Sequence, residues 1–426
     1  MLKPLRKHGN QARPPQPPAS AQVRALLAGA PVQAAFQLLA AERRWLNEKQ
    51  LELCRIPAAT FFEQRRAEWM KEEFERLGWR AEIDRAGNVL AQLPDALPKA
   101  PLVALTAHLD TVLAPQSPED IGIDGESRMT GPGVSDNGPG LAGLLAMARV
   151  VHDCELLREL PAGLLLVANV AEEGEGNLNG MRYLCQQAQW MERIRSFLVL
   201  DGPSTERVTT EALACRRYEI VVNGPGGHSW SDFGTANAIH ALSRAVAAFV
   251  DNHAPRAVAA GHGRHSYNIG VIDGGTTVNA VPAAARAKAD LRAENPQLLA
   301  ALSHALSQAF EEALLVENER ARTGRVTARI RETGSRPGGM LPDDSPLLDW
   351  IQSVDAELGI RSTFDCASTD ANIPLSLGLP ALSIGAGGDG GGAHTTAEWY
   401  SPEGREIGLR RVVLLLGLML GEMAER

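Results

Sequence analysis

The chain has 426 residues, a formal net charge of −9, 44% hydrophobic residues and 22% charged residues. This length accommodates two domains or more, and the composition is ordinary for a globular protein. The acidic balance gives no reason to expect a nucleic-acid partner. Five cysteines without C-x-x-C spacing argue against both a disulfide framework and a thiolate zinc site, and they predict a reducing, cytoplasmic location.

The first 21 residues, MLKPLRKHGNQARPPQPPASA, are polar, basic and rich in proline. They lack the apolar core of a signal peptide, so we predict a disordered tail. No apolar run reaches the ~20 residues that a membrane helix needs, and we therefore expect no membrane span. The segment VVLLLGLMLG near the C-terminus is shorter than that and predicts a buried helix.

The next elements predict an α/β layer. Residues 22–81 carry apolar side chains at three- and four-residue spacing, which predicts helices. RAEIDRAGNVLAQLP predicts a hairpin that turns at Ala86–Gly87. Three apolar runs, PLVALTAHLDTV, AGLLLVANVAEEG and SFLVLDGP, predict buried strands, and LAGLLAMARVVHDC and GMRYLCQQAQWM predict helices between them. This alternation indicates an α/β sheet covered on both faces.

The pattern changes near Ala214, where RRYEIVVNG alternates apolar and polar residues as a half-exposed strand does. From there to residue 337 the predicted order is β-α-β-β-α-β, a small sheet with helices on one face. The α/β pattern returns after about residue 338. We therefore predict a tail (1–21), a catalytic domain in two segments (22–213 and 338–426) and an inserted domain (214–337).

Polar residues follow the predicted buried strands or stand in glycine-rich loops near them. Open α/β sheets bind ligands at the carboxyl ends of their strands. Histidines and carboxylates that converge there suit zinc or a similar divalent ion, which needs about three protein ligands. Five ligands with one of them shared suit two ions about 3.5–4 Å apart. The candidate residues are His108, Asp110, Asp136, Glu172, Glu173, Asp201 and His394.

Each of these residues also has an ordinary structural interpretation. A single histidine at a strand end is commonly a hydrogen-bonded structural residue, and Asp136 and Asp201 both have the neighbours of a turn residue. The adjacent carboxylates Glu172 and Glu173 are harder to explain in this way. They would repel each other at the end of a buried strand unless a cation neutralised them.

Six segments carry a family resemblance: HLDTV, GPGVSDNGPGLAGLLAM, NVAEEGEGNLNG, VLDGP, GPGGHSWSDFGTANAI and AHTTAEWY. Their order and spacing, from about residue 40 onwards, resemble the two-zinc peptidase family of carboxypeptidase G, acetylornithine deacetylase, succinyl-diaminopimelate desuccinylase, aminoacylase and tripeptidase T. The resemblance implies a zinc-peptidase-like α/β catalytic domain with a mixed, mainly parallel sheet. It also implies an inserted ferredoxin-like α+β lid and dimerisation domain.

The resemblance further implies an enzyme that hydrolyses an amide bond in a small peptide or an N-acyl amino acid. It implies two divalent ions, zinc in the first place with cobalt or manganese as alternatives, and a homodimer. In the family pattern Asp136 bridges the ions. Glu173 and His394 would complete one site, and His108 and Asp201 would complete the other.

Two further residues receive roles by the same resemblance. Asp110 would hold the ring N–H of His108, which fixes the tautomer and makes the imidazole a better ligand. Glu172 would be the general base that takes a proton from the water bridging the ions. Because adjacent side chains of an extended backbone point in opposite directions, Glu173 can ligate while Glu172 faces the substrate.

The inserted domain would contribute substrate contacts. By resemblance, His228 stabilises the oxyanion, and in dimeric members it comes from the partner subunit. Asn279 and Arg292 match positions that bind polar groups of the substrate, and Gly387 and Gly388 could offer backbone N–H groups to its carboxylate. The ordinary alternatives are a loop histidine, a surface salt bridge on a strand and a flexible glycine loop.

Other functions remain open. The STDAN…GLP pattern in CASTDANIPLSLGLPALSIGAGG resembles tripeptidase T, which would make the chain an aminopeptidase, but GVSDNGPG departs from the usual tripeptidase segment. A catalytically silent binding protein of the same fold would have lost a ligand or the base, and all are present. A metal phosphatase or nuclease would need a basic cluster for phosphate, and the sequence suggests none.

Overall fold

The structure is a computed structural model that describes residues 18–97, 99–125, 127–154, 156, 162–259 and 263–424. Most of the predicted tail lies in residues 1–17, outside the described residues. The first helix begins at Ala19, so the last residues that we assigned to the tail are helical. The cause is local, because the alanine-rich segment after Pro18 has high helix propensity.

The helices confirm the predicted positions. Residues 22–81, predicted as helical, contain four helices and end in a strand. The helices are α1 (Ala19–Ala28), α2 (Ala30–Ala41), α3 (Arg43–Cys54), α4 (Gln64–Arg76), α5 (Gly138–Asp153), α6 (Asn179–Gln186), α7 (Ala188–Met191), α8 (Ala238–Ala248), α9 (Ala254–Ala259), α10 (Pro296–Arg320), α11 (Pro346–Leu358), α12 (Asn372–Ser376) and α13 (Arg405–Ala424).

The strands form two large sheets and two small ones. They are β1 (Arg80–Ile83), β2 (Val89–Gln92), β3 (Leu102–His108), β4 (Gly122–Asp124), β5 (Arg128–Thr130), β6 (Gly163–Asn169), β7 (Ile194–Leu200), β8 (Arg207–Ala212), β9 (Ala214–Asn223), β10 (Gly227–His228), β11 (His265–Gly274), β12 (Ala280–Val281), β13 (Ala284–Ala293), β14 (Thr327–Arg336), β15 (Gly339–Met340), β16 (Thr363–Ala367), β17 (Ala381–Ile384), β18 (Asp389–Gly391) and β19 (Trp399–Ser401).

The largest sheet has nine strands in the order β1-β2-β6-β3-β7-β17-β8-β15, with β16 paired to β8. Its centre, from β6 through β3 and β7 to β17, is parallel, and the β1–β2, β2–β6, β17–β8 and β8–β15 pairs are antiparallel. The predicted mixed sheet with a parallel centre is confirmed. Every residue of β3 is buried, which explains its continuous apolar sequence.

The hairpin at Ala86–Gly87 shows how a local sequence determines a turn. One carboxylate oxygen of Asp84 accepts the N–H groups of Ala86, Gly87 and Asn88 at 2.8 to 3.0 Å. Gly87 has a φ of 104°, a conformation that glycine adopts without strain. The strands on either side, β1 and β2, pair antiparallel as predicted.

A second sheet has four antiparallel strands in the order β11-β13-β9-β14. Its apolar face packs against α8 and α10, and the resulting hydrophobic core draws its buried residues from positions 214 to 326. The core of the first sheet draws its buried residues from positions 23 to 212 and 341 to 420. We call these the second unit and the first unit. The boundaries 213/214 and 337/338 remain a prediction.

The polar face of the second sheet lies over the segment that follows β6. Arg217 donates to the carbonyl of Gly174, and Lys288 Nζ lies 3.1 Å from Glu175 Oε1. Cys215 of β9 pairs with Arg292 on the neighbouring strand β13 and with Arg336 on the other neighbouring strand, β14. Directly paired residues share a face, so the two arginines lie in one row on the face that points towards the first unit.

A four-stranded sheet in the order β18-β19-β5-β4 is absent from the prediction, because its strands have only three residues each. Within the described residues no single helix is long and apolar enough to span a membrane. The bent pair Ala19–Ala28 and Ala30–Ala41 meets the criterion by length and composition only. The cytoplasmic location remains a prediction.

Candidate metal centre

His108 is the last residue of β3 and only 2% exposed. Its Nδ1 lies 3.0 Å from the backbone carbonyl oxygen of Asp110 and 3.6 Å from the Asp110 carboxylate. The backbone carbonyl, rather than the predicted carboxylate, is therefore the acceptor within hydrogen-bonding distance. This contact leaves Nε2 facing the carboxylates of Asp136 at 3.1 Å and Asp201 at 3.8 Å.

The carboxylate of Asp110 is fully buried and binds the backbone of Glu172 and Glu173, the two adjacent residues that follow β6. Its two oxygens accept the N–H groups of Glu172 and Glu173, each at 2.9 Å. Thr60 Oγ1 donates to it at 3.0 Å. Asp110 thus fixes the end of β3 and the segment after β6 relative to each other.

Glu172 and Glu173 have different partners. Glu173 Oε1 lies 2.9 Å from His394 Nε2, whereas Glu172 Oε1 accepts a hydrogen bond from Arg336 Nη1 at 2.9 Å. Glu173 has extended dihedral angles (φ −76°, ψ 149°), so neighbouring side chains diverge. The two carboxylates therefore point to different surroundings.

Asp136 and Asp201 come together through Asn137, which caps α5. The Asn137 side chain accepts the N–H of Gly202 at 3.0 Å and donates to the carbonyl of Leu200 at 2.8 Å. A single amide thus joins the glycine-rich loop to the end of β7. It keeps Asp136 and Asp201 on the same side of His108.

Three groups of side chains have ligand atoms within 4.8 Å of one another: His108 with Asp136 and Asp201, Asp136 with Glu173 and His394, and His108 with Glu172 and Glu173. The first two groups share Asp136. Asp136 Oδ2 lies 3.1 Å from His394 Nε2, and the buried Asp136 Oδ1 lies 3.1 Å from His108 Nε2 without a well-aligned hydrogen bond among the described residues. The structure thus brings together the five predicted ligands.

The dense negative charge shifts the proton affinities of the histidines in the metal-free chain. Hydrogen bonds to Asp136 and Glu173 raise the pKa of His394 to about 10. Burial lowers the pKa of His108, but its carboxylate neighbours outweigh burial and raise it well above the ordinary value. A cation is thus favoured between these groups, since protons bind there more tightly than usual.

Glu172 is distinguished by burial and by Arg336. Burial raises the pKa of Glu172 well above its ordinary value, and the charge of Arg336 opposes the shift. Arg336 also donates to the backbone carbonyl of Glu172 and to Ser368 Oγ. The carboxylate of Glu172 lies close enough to His108 and Glu173 to share a metal ion with them. Its contact with Arg336, and not its distance from His108, therefore distinguishes its surroundings from those of Glu173.

Three further residues near the site were not predicted from the sequence: Arg336, Glu398 and Asp370. Glu398 accepts three backbone N–H groups from the loop that carries Asp136. Asp370 is fully buried beside Asn169, and burial raises its pKa to about 7. Glu398 lies in the segment AHTTAEWY and Asp370 in STDAN, both of which we had quoted, so a carboxylate in each was visible without any indication of its contacts.

The predicted residues of the second unit lie apart from this cluster. His228 and Asn279 are neighbours, because β10 and β12 pair and Ser229 N donates to the carbonyl of Asn279 at 2.9 Å. Both are exposed. Arg292 Nε donates to Asp290 at 2.7 Å on its own strand, which is the ordinary ion pair that we considered as the alternative.

Gly387 and Gly388 have a packing reason to be glycine. A Cβ at Gly387 would lie 2.8 Å from the carbonyl oxygen of Arg405, and one at Gly388 would lie 2.4 Å from the hydroxyl of Tyr400. Gly387 is buried, and its carbonyl accepts a hydrogen bond from Tyr400. Gly387 thus packs against the start of α13 and Gly388 against β19, and a substrate role for their N–H groups stays a prediction.

Comparison with known families gives the class. The family model for peptidase family M20/M25/M40 matches residues 104–417. The chain belongs to this family and is a metal-dependent hydrolase of peptide or amide bonds. A search of curated proteins finds no match.

Solved structures share the fold at low sequence identity. An aminopeptidase PepT from Bacillus cereus ATCC 10987 is 19% identical, with a TM-score of 0.67, over 88% of this chain and 98% of that chain. A tripeptidase from Staphylococcus aureus subsp. aureus Mu50 is 19% identical, with a TM-score of 0.69, over 90% and 99%. A di-peptidase from Saccharomyces cerevisiae is 14% identical, with a TM-score of 0.71, over 92% and 99%.

Proposed function

We propose that the chain is a two-metal hydrolase that cleaves an amide bond in a small peptide or an N-acyl amino acid. The observation that carries the proposal is that two ligand groups share Asp136. His108 and Asp201 would hold one ion with it, and Glu173 and His394 the other. A carboxylate has two oxygens, so one Asp can serve two ions.

The residues present fit divalent ions, with zinc expected first and cobalt or manganese as alternatives. Imidazole nitrogen and carboxylate oxygen are the donors that zinc accepts in catalytic sites. The buried Asp136 Oδ1 faces His108 Nε2 at 3.1 Å without a well-aligned hydrogen bond, and it is the kind of atom that a cation satisfies. When bound, such ions polarise the scissile carbonyl and make water acidic enough to lose a proton near neutral pH.

Glu172 is the general base in this proposal. It takes a proton from the attacking water and returns it to the leaving amine. Arg336 holds one of its oxygens and its backbone carbonyl, which orients the carboxylate. Burial raises its pKa well above the ordinary value, and a raised pKa makes the carboxylate a better proton acceptor.

The polar face of the second sheet would bind the substrate. Arg292 lies in the same row as Arg336 and two strands away, a separation of about 10 Å. The Arg292 guanidinium could release Asp290 and bind a carboxylate of the substrate in its place. Both partners are carboxylates, so one ion pair would replace an equivalent one. Asn279 would bind a polar group of the substrate beside His228.

His228 would stabilise the oxyanion, supplied by a second copy of the chain in a homodimer. Its Nδ1 accepts the N–H groups of Trp230 at 3.2 Å and Ser231 at 3.3 Å. In the neutral ring the proton is then on Nε2, which can donate to an oxyanion. His228 is exposed and has no contact with the ligand cluster of its own chain among the described residues, which favours supply in trans.

Subunit complementation tests this arrangement. Glu172→Gln and His228→Ala should each lose most of the activity alone, and mixing them produces hybrid dimers. If His228 acts in trans, a hybrid has one intact site and the mixture regains activity. If both residues act within one chain, no hybrid site is intact and the mixture stays inactive.

The substrate is tested with a mixed panel in the presence of zinc, manganese or cobalt. It contains di- and tripeptides, N-acetyl, N-succinyl and N-carbamoyl amino acids and C-terminally amidated controls, and amine release is measured. Loss of turnover on amidation supports a carboxypeptidase or deacylase. Two bound ions without turnover of any member would contradict the proposed substrate class.

A tripeptidase-T-like aminopeptidase is the second candidate. Two of the similar structures are described as an aminopeptidase and a tripeptidase, and the likeness to both covers most of the chain. Turnover restricted to peptides with a free N-terminus would favour it, and turnover of N-acyl amino acids would exclude it.

A further inference from the structure

Glu398 lies outside the ligand set, but it contacts the loop that presents Asp136 more extensively than any ligand does. Its Oε2 accepts the N–H of Gly133 at 2.8 Å, and its Oε1 accepts the N–H groups of Ser135 and Asp136, each at 2.8 Å. The side chain is only 3% exposed. The backbone carbonyl of Glu398 also accepts the N–H of Gly131 at 2.9 Å.

The carbonyl groups of the same loop are held from the other side. Gln50 Nε2 donates to the carbonyl of Val134 at 2.8 Å, and Cys54 Sγ lies 3.4 Å from that of Gly133. The N–H groups of Gly133, Ser135 and Asp136 therefore depend on Glu398 alone for a side-chain partner among the described residues. A carboxylate suits this task, because it accepts through both oxygens and donates nothing.

Glu398 also lies four residues after His394, immediately before β19. One short segment thus carries a ligand and holds the loop of the ligand shared by both groups. The distance of 3.1 Å between His394 Nε2 and Asp136 Oδ2 depends on this segment. Displacing the backbone of Asp136 would move both carboxylate oxygens at once and would change both metal positions.

We propose that Glu398 is a positioning residue that sets the carboxylate of Asp136 for two metal ions. This inference rests on the two-ion centre proposed above. It assigns Glu398 no contact with substrate or with the ions. Outer carboxylates of this kind typically contribute 10- to 100-fold to metal affinity.

The first experiment is a Co²⁺ titration of metal-free wild type, Glu398→Gln and Glu403→Gln, followed by calorimetry and by visible absorption. In Glu398→Gln the amide presents one NH₂ group to backbone N–H donors, so at least one of the three bonds is lost. We expect a 10- to 100-fold weaker affinity for both ions and an altered cobalt spectrum. Glu403→Gln is the matched control, because Glu403 is exposed in the same segment, and it should bind as wild type does.

A double-mutant cycle separates positioning from general stability. If Glu398 acts through Asp136, Glu398→Gln should weaken cobalt binding less than about threefold in an Asp136→Asn background. An equal loss in both backgrounds would overturn the inference. If Glu398→Gln does not fold, as judged by circular dichroism, Glu398→Asp takes its place, since its shorter side chain cannot reach all three N–H groups.

The outcomes distinguish this inference from the function on which it rests. Wild type that binds fewer than two ions overturns the two-ion centre and the inference together. Wild type that binds two ions beside a folded Glu398→Gln of equal affinity overturns the inference alone. Weaker binding in Glu398→Gln supports the inference even if no member of the substrate panel is cleaved.

Discussion

The ligand cluster and the short β10–β12 ladder, which carries His228 beside Asn279, differ in how firmly their own chain holds them. The ligand side chains range from buried (His108) to half exposed (His394), but interior side chains such as Asp110, Asn137 and Glu398 join the segments that carry them. The ladder has two residue pairs, and Trp230 beside it is 86% exposed. A donor set held this firmly is preorganised within one chain, whereas an exposed histidine has to meet its reaction partner through another surface.

The largest effect should come from Glu172→Gln. Loss of a general base typically costs about 10²- to 10⁴-fold in kcat, and the isosteric amide keeps the site packed. Metal content, measured by elemental analysis, should stay at the wild-type value because Glu172 pairs with Arg336 and not with His394. A variant that retains full turnover would show that the base is a different group.

His228→Ala should lower kcat by about 10²- to 10³-fold, the usual cost of one oxyanion donor. Metal affinity should not change, since His228 has no contact with the cluster among the described residues. His240→Ala is a suitable control, because that histidine is also exposed in the second unit. A loss of metal affinity in His228→Ala would mean that the ladder belongs to the metal centre after all.

Arg336→Gln should lower the free energy of unfolding of the metal-free chain by about 3 kcal/mol. Arg336 and Glu172 form a buried pair with side chains 6% exposed, and removing one partner leaves the other charge uncompensated. Urea titration measures this change. Unaltered stability would show that water, rather than Arg336, compensates Glu172.

Metal affinity should depend on pH with a positive slope. The pKa of His394 is raised to about 10 in the metal-free chain, so its ring is protonated at pH 8 and an ion must displace that proton. We therefore expect affinity to rise about tenfold per pH unit between pH 7 and pH 9 for each proton displaced. Calorimetry in two buffers of different ionisation enthalpy counts the protons, and a count of zero would contradict the expectation.

The smallest effect should come from Lys288→Ala. Its ion pair with Glu175 also joins the two units, but the side chains are 42% and 74% exposed. Exposed pairs contribute less than about 1 kcal/mol, and salt screens them. The variant should unfold at nearly the wild-type urea concentration, and a loss as large as that of Arg336→Gln would mean that burial does not determine the strength of these links.

The sequence predicted the elements from local patterns, which also indicated candidate ligands, and the family resemblance selected the ligand set, which stays a prediction. His108, Asp201 and the adjacent Glu172 and Glu173 all follow continuous apolar strands, and chemistry restricts what such residues do there. Arg336 has no such pattern. It lies 164 residues from Glu172, and only the folded chain brings the two together.

The contacts that Glu398 makes with the loop of Asp136 also could not be predicted from the sequence. Glu398 accepts three hydrogen bonds from backbone N–H groups. Every residue except proline has such a group, so the side chains of the donor residues do not reveal these contacts in the sequence. Gly387 and Gly388 have two compatible explanations. Their sequence suggests backbone amides that face a ligand, which stays a prediction, and close packing of Gly387 against α13 and of Gly388 against β19 also favours glycine there.

The order of the hydrophobic cores along the chain has a consequence for synthesis. Among the described residues, the core of the second unit draws on positions 214 to 330, whereas the core of the first unit needs residues 341 to 420 as well as 23 to 212. Domains generally fold as units while the ribosome adds residues. The second unit can therefore fold while the first is still incomplete, and the proposed metal centre, which includes His394, would form only after that residue has left the ribosome. Until then the apolar strands β3, β6 and β7 lack the packing partners that residues 341 to 420 supply. A growing chain in this state exposes apolar surface to which a chaperone can bind.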